Sequence, residues 1–305
     1  MRHLLTLFDL STAEIERIFA ITEDIKSKYE QGLREAILPG RVMALLFEKP
    51  SLRTRVSFES GMAQLGGSSL FLGADVGFGK RESMADFGRV ISEYVDVVVI
   101  RNHSHAQVEE LAKYCGCPVI NGLTEQSHPC QALADLYTMK EHFGSLDGLQ
   151  LAWVGDGNNV ARSLAVGCAR LGLPMHVATP PGYELTPAFL ERLHSEIPGA
   201  EIHCTHDPRE AVRAASAVYT DVWTSMGQED EAASRSQQFA PFQINAQLMS
   251  QAPADAIFMH CLPAHRGEEV TDEVIDSEQS VVIQQAGNRM HVQKGVLAWL
   301  LGSQV

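Results

Sequence analysis

Several absences bound the reading of this chain. No apolar run reaches the roughly 20 residues that a helix needs to cross a bilayer, and Met1-Arg2-His3-Leu4 reads as leading into a capped helix instead of a signal sequence. A soluble, cytoplasmic protein without a membrane partner is therefore expected. Basic residues are in deficit: 24 Lys and Arg stand against 38 Asp and Glu, a formal charge of −14 with a pI near 5.3. That balance excludes a general nucleic-acid footprint, and any anionic substrate must be drawn in by local arginines against an adverse global field. A disulfide framework is missing too. The six cysteines (115, 117, 130, 168, 204 and 261) are scattered through apolar or strand-like contexts of a 305-residue chain. Cys115-Gly116-Cys117 lacks the gap of a structural zinc pair, and no second pair answers it. There is no low-complexity segment and no repeat beyond a shared strand and helix layout.

The chain does carry 45% apolar and 20% charged residues, a globular composition, and a length suited to two domains. Ser11-Thr12-Ala13-Glu14 is a capping box that starts a first helix, with Ile15, Ile18, Phe19 and Ile25 as its stripe and Thr22 as a polar interruption. Strand patterns recur at 42–47, 69–72, 95–100, 118–121, 151–155, 175–178, 201–204, 217–219, 256–260 and 281–284. Helical patterns recur at 83–94, 106–114, 129–143, 158–171 and 186–194, with a final helix over about 289–301. Gly144 to Gly148 is the best boundary. The expected fold is α/β: two parallel-sheet domains, 1–147 and 148–305, with an active-site cleft between them and the last helix returning to the first domain.

Phe47 to Glu59 makes the sharpest demand. A buried strand ends at Pro50, Ser51 is placed to start a helix, and the first peptide N–H groups of that helix point outward without intrahelical partners. Arg53 and Arg55 add cations, while Ser51 and Thr54 add hydroxyls, a donor set that suits a phosphate. Arg101 immediately follows the β-branched strand 95–100, at the strand end where open α/β sheets place ligands. His128 and Gln131, three apart at a helix start, share one face.

Two nucleotide motifs fail. Gly155-Asp156-Gly157-Asn158-Asn159-Val160 has valine at the third glycine position, and no acidic residue ends the next strand. The segment ending in Gly79-Lys80 has Ala74 and Arg81 where a phosphate-binding loop of the Walker type needs Gly and Ser or Thr. The asparagines after Gly157 suit the carboxylate or amine of a small polar ligand. Asp221-Val222-Trp223-Thr224-Ser225-Met226-Gly227 opens a polar segment, 228–238, that reads as a candidate lid. His260-Cys261-Leu262-Pro263 begins at another strand end, where Pro263 keeps the carbonyls out of an ensuing helix.

Taken together, Ser51-Leu52-Arg53-Thr54-Arg55, Arg101, His128-Pro129-Cys130-Gln131, Gly155 to Asn159, Asp221 to Gly227, His260 to Pro263 and Asn288-Arg289 resemble the transcarbamylase family over nearly the whole chain. The resemblance implies carbamoyl transfer from carbamoyl phosphate, and the Ser-Met-Gly and His-Cys-Leu-Pro segments imply L-ornithine as the acceptor, a step of arginine metabolism. Ser51, Leu52, Arg53 and Thr54 would then hold the phosphate. Arg101, His128 and Gln131 would orient the carbamoyl group. Cys261 and Leu262 would line the reacting centre, with the Leu262 carbonyl accepting from the carbamoyl NH₂ and Arg289 closing over it. Asn159, Asp221, Ser225 and Met226 would grip the amino-acid end of ornithine. No metal or cofactor is implied. A homotrimer with sites at subunit interfaces is. Two positions depart from the family pattern: Leu52 stands where threonine is common, and Gly77 where a glutamine reaches a neighbouring subunit's site, a contact that Lys80 or Arg81 could replace.

Overall fold

The computed structural model describes residues 1–73, 76, 78, 81–224 and 228–302. Its helices and strands run Thr12–Glu30 (α1), Val42–Phe47 (β1), Leu52–Gln64 (α2), Ser68–Leu72 (β2), Met84–Ile91 (α3), Val97–Arg101 (β3), His105–Tyr114 (α4), Val119–Leu123 (β4) and Pro129–Phe143 (α5). The series continues with Leu151–Val154 (β5), Asn159–Leu171 (α6), Met175–Ala178 (β6), Pro187–Glu196 (α7), Ile202–Thr205 (β7), Pro208–Val212 (α8), Ala217–Thr220 (β8), Ala232–Phe239 (α9), Ala246–Met249 (α10), Ile257–His260 (β9), Asp272–Ile275 (α11) and Val282–Leu301 (α12). None of the described helices is long and apolar enough to cross a membrane.

Two compact units result, Met1–Ala134 with the chain from Asn288 onward, and Asp135–Gly287. The first holds a parallel sheet in the order β2-β1-β3-β4 and the second a parallel sheet in the order β7-β6-β5-β8-β9. The α/β class with two parallel sheets is thus as expected. In each sheet the strand order reverses about one early strand, β1 in the first and β5 in the second. The loops leaving the strands beside such a reversal splay apart and leave a crevice.

Local chemistry accounts for the elements. The Ser11–Glu14 capping box forms, and Ile15, Ile18 and Phe19 of α1 are buried as the stripe requires. Thr22 is buried as well, its hydroxyl donating back to the Ile18 carbonyl at 2.7 Å. Met43, Ala44 and Leu45 of β1 and Val97, Val98 and Val99 of β3 are sealed from solvent, which suits strands covered on both faces.

Three expectations are corrected. Val281 to Gln284 is not a strand, and the last helix does not wait for Arg289. Ser280 makes an isolated bridge to Phe258 and the Val281 N–H donates to the Phe258 carbonyl, after which α12 starts at Val282. Burial of Val282 in the second unit's core outweighs the β-propensity of the run. Arg101 does not follow β3 but ends it, paired with Phe47 of β1. The polar 228–238 segment contains a short 3₁₀ turn and α9.

Candidate active site

In the first unit, β1 delivers the chain to the start of α2. Ser51 sits at the N-cap with extended backbone, but its hydroxyl donates to Thr54 Oγ1 at 3.0 Å instead of capping a helix amide. Thr54, fully buried, also receives Arg289 Nη2 at 3.1 Å. Arg101, at the end of the neighbouring strand, is pulled down to a pKa of about 10, first by burial and then by the charges of Arg289 and Arg53. The charges of Arg53 and Arg289 are therefore both felt at Arg101, beside a positive helix end. Gathering them costs energy unless an anion joins them, which marks an anion site.

His128, buried at the mouth of α5, is held well below the ordinary histidine value by burial, Arg289 and Arg101 in that order. It is neutral at pH 7 and donates from one ring nitrogen only. Gln131, in the first turn of α5, is buried beside it in sequence, its N–H donating to the His128 carbonyl at 3.2 Å. Leu52 is 77% exposed, so what it offers the seat is its backbone N–H. Arg55, expected beside Arg53, instead lies over the Phe71 ring at 3.8 Å and pairs with Glu59 at 3.2 Å.

In the second unit, Asp221 follows β8 and collects three donors. Cys261 Sγ and the Val222 N–H reach Oδ1 at 2.9 and 2.8 Å, and Asn158 Nδ2 reaches Oδ2 at 2.8 Å. Two carboxylate oxygens offer about four acceptor positions, so room remains for one ammonium donor. Asn158 also caps α6, its Oδ1 accepting from Val160 and Ala161, while Asn159 is the first helical residue. Gly157 is required here: a Cβ would lie 2.7 Å from the backbone of Tyr183 to Leu185. After β9, Leu262 takes φ 57° and precedes a cis bond to Pro263. A left-handed leucine costs roughly 1–2 kcal/mol, so something nearby must hold it.

Asp221, His260 and Cys261 bring possible ligand atoms within 4.8 Å of one another. Both His260 ring nitrogens are already engaged, by the Leu262 N–H and by Glu269, and the Cys261 thiol by Asp221. The cluster is a hydrogen-bonded one. Ser225, Met226 and Gly227, and Gly77 and Lys80 of the earlier loop, lie outside the described residues.

Sequence reading missed four residues around these groups. Asn158 was read with Asn159 and not as the partner of Asp221. Arg235, taken as part of a polar lid, is buried and donates to the Asp156 carboxylate and to the Trp223 carbonyl. Glu269 and Gln285 both bond to His260. None of these pairings has a local signature, since the partners come from separate elements and loops.

Residues 2–141 match the family described as aspartate/ornithine carbamoyltransferase, carbamoyl-P binding domain, and residues 147–300 match its Asp/Orn binding domain. A protein of Carboxydothermus hydrogenoformans named ornithine carbamoyltransferase is 52% identical over 99% of this chain and 98% of its own. One of Bacillus subtilis with the same name is 51% identical over 98% and 94%. The solved ornithine carbamoyltransferase of Pyrococcus furiosus superposes with a TM-score of 0.95 at 48% identity, covering 100% of this chain and 98% of that one. On these matches and on both compact units, the chain belongs to the aspartate/ornithine carbamoyltransferase family.

Proposed function

We propose that this protein transfers the carbamoyl group of carbamoyl phosphate to the δ-amine of L-ornithine, giving L-citrulline and phosphate. The observation that carries the reading is the gathering of Arg53 and Arg289 around Arg101 at the start of α2, where Arg289 donates to Thr54. In this reading residues 1–147, joined by Arg289 of the returning last helix, hold carbamoyl phosphate, and the rest of 148–305 holds ornithine. The phosphate sits on the N–H groups of Leu52, Arg53 and Thr54, on the Ser51 and Thr54 hydroxyls and on the guanidinium groups. That seat also suits the charge that grows as phosphate leaves.

Attack of the δ-amine on the carbamoyl carbon makes a tetrahedral oxyanion. Arg101 and neutral His128 donate to it, a preorganised electrostatic stabilisation. Gln131 and the Leu262 carbonyl orient the carbamoyl NH₂, and Cys261 lines the centre. Asp221, with Asn159, Ser225 and Met226, takes the amino-acid end of ornithine. Asp221 binds the α-ammonium and is not the general base, because an ionised carboxylate is too weak to deprotonate an alkylammonium. An amine with a pKa near 10.4 is neutral in only about one molecule in 10³ at pH 7. The rate below ornithine saturation is therefore expected to rise from pH 6 to 9, and flat profiles would contradict the neutral-amine step. The working form is proposed to be a cytoplasmic homotrimer with sites at subunit interfaces, which light scattering would test.

Citrulline formation from carbamoyl phosphate and ornithine, run beside acetylornithine, putrescine and aspartate, tests the reading directly. Turnover with ornithine alone is expected. Turnover with another amine would keep the phosphate half and overturn the ornithine half.

A further inference from the structure

His260 ends β9 with its side chain buried in the second unit. Its ring nitrogens have different partners. Nδ1 lies 2.8 Å from the Leu262 N–H, which donates to it, so that nitrogen carries no proton. The ring proton then sits on Nε2, 3.1 Å from Oε1 of fully buried Glu269. Glu269 thereby fixes both the tautomer and the plane of the ring. The backbone of His260 is held separately, its N–H donating to Gln285 Oε1 at 2.9 Å. Gln285 Nε2 donates in turn to Asp135 Oδ1 at 2.7 Å, and the Tyr219 hydroxyl donates to Asp135 Oδ2 at 3.0 Å. His260 is thus clamped at ring and backbone, and what the clamp presents is one acceptor aimed at the amide of Leu262. Leu262 is the one non-glycine residue with positive φ among those described. Its amide and its carbonyl lie in successive peptide planes related by the φ and ψ of Leu262, so an acceptor that holds the N–H anchors the plane from which those two angles direct the carbonyl.

We propose that His260, clamped by Glu269 and Gln285, is a positioning residue that aims the Leu262 carbonyl at the carbamoyl NH₂ through the Leu262 amide, and that it exchanges no proton with substrate. The proposal rests on the carbamoyl-transfer reading above. It differs from a general acid or base role in what substitution it tolerates: an acceptor atom in the Nδ1 place is enough. Asparagine supplies one through its side-chain oxygen, and leucine supplies none.

The test compares wild type, His260→Asn, His260→Leu and Gln285→Met. Citrulline formation gives kcat, and calorimetry with inorganic phosphate reads the seat in the other unit. His260→Leu is expected to lose about 10²-fold in kcat, the scale set by a misplacement of about 1 Å. Its phosphate Kd should stay within about twofold, because that seat is built from other residues. His260→Asn should return to within about tenfold of wild type with an unchanged pH profile between pH 6 and 9. Gln285→Met leaves the ring partners intact and removes the backbone clamp together with one donor to Asp135, so a smaller loss of kcat is expected from it even if His260→Leu fails to fold. An active wild type with His260→Leu or Gln285→Met at wild-type kcat overturns the proposal. So does His260→Asn as inactive as His260→Leu, which would assign the ring a proton-transfer role. A folded wild type that binds phosphate but carbamoylates none of the amines overturns the underlying reading instead, and this inference with it.

Discussion

Arg53 and His128 are single residues whose contributions can be separated by what they do to binding and to stability. Removal of the Arg53 guanidinium in Arg53→Ala deletes a charge-assisted contact worth roughly 1.5–3 kcal/mol, so carbamoyl phosphate or inorganic phosphate should bind about 10- to 10²-fold more weakly by calorimetry. Unchanged binding would remove the phosphate seat from α2. His128 predicts a pH effect. Its pKa is depressed in the folded chain by burial, Arg289 and Arg101. Below the ordinary value near 6.5 the unfolded chain takes up a proton that the folded chain refuses, so stability falls as pH drops. The slope from this one group approaches about 1.4 kcal/mol per pH unit. Urea unfolding at pH 5 to 7 should show a shallower pH dependence in His128→Gln than in wild type, and equal slopes would mean that His128 is not held neutral. At this scale much was legible. A charge at the end of a β-branched strand and a His-Pro-x-Gln helix start single out Arg101 and His128, and the structure places both where the charge of Arg289 is felt. The bond from Arg289 to Thr54 was beyond local reading, because it joins positions 235 residues apart.

Among the elements, α9 is one that the sequence reading did not assign as a helix. Apart from Ala232 and Ala233 its exposed residues are polar, Ser234, Ser236, Gln237 and Gln238, and a polar run between ordered segments reads as a lid. The structure shows a helix tied down by one side chain: Arg235 lies beneath the Tyr183 and Phe239 rings, 4.7 and 5.1 Å from their centroids, and its Nε donates to the Trp223 carbonyl at 2.5 Å. It also pairs with Glu231 at 3.5 Å and with the Asp156 carboxylate in the loop that opens α6, the same loop that carries Asn158 to Asp221. Burial raises the Asp156 pKa and Arg235 opposes the rise. Breaking a buried pair from one side strands the other charge, at a cost of about 3–5 kcal/mol. Arg235→Leu should therefore lose about 3 kcal/mol in urea unfolding and raise the KM for ornithine, with inorganic phosphate affinity unchanged, and Arg235→Leu/Asp156→Asn should recover part of the stability. Loss of phosphate affinity in Arg235→Leu would mean that the effect is general unfolding. The same limit on sequence reading applies to Val281 to Gln284: β-branched composition reports a local preference, and only the core that receives Val282 decides for helix.

For the molecule as a whole, the first unit is discontinuous in sequence, since the chain leaves it after Ala134 and returns at Asn288. The return is made by α12, which carries Arg289 to Thr54, Lys294 to Gln64 at 3.1 Å, and Asn288 to Lys26 at 2.8 Å. Burial of Lys294 lowers its pKa to about 8, so the contact with α2 is made against a desolvation cost. What lets α12 come so near α1 is Gly295. A Cβ there would stand 2.1 Å from Thr22 Oγ1 and 3.0 Å from the Ile18 carbonyl, and Thr22 has no slack because it is buried and bonded back to Ile18. Gly295→Ala must push the helices apart, an overpacking cost of about 1–3 kcal/mol. In a unit of this size the melting temperature should fall by about 2–4 °C per kcal/mol. Because Arg289 rides on the same helix, phosphate affinity should fall as well, which ordinary surface substitutions on α12 would not cause. Thr22→Ala on the Gly295→Ala background removes the closest clash but leaves the Ile18 carbonyl, so a double-mutant cycle should return part of both losses and not all. If Gly295→Ala melts and binds phosphate as wild type does, the α1 to α12 approach is not tight, and the coupling of the returning helix to the phosphate seat fails with it.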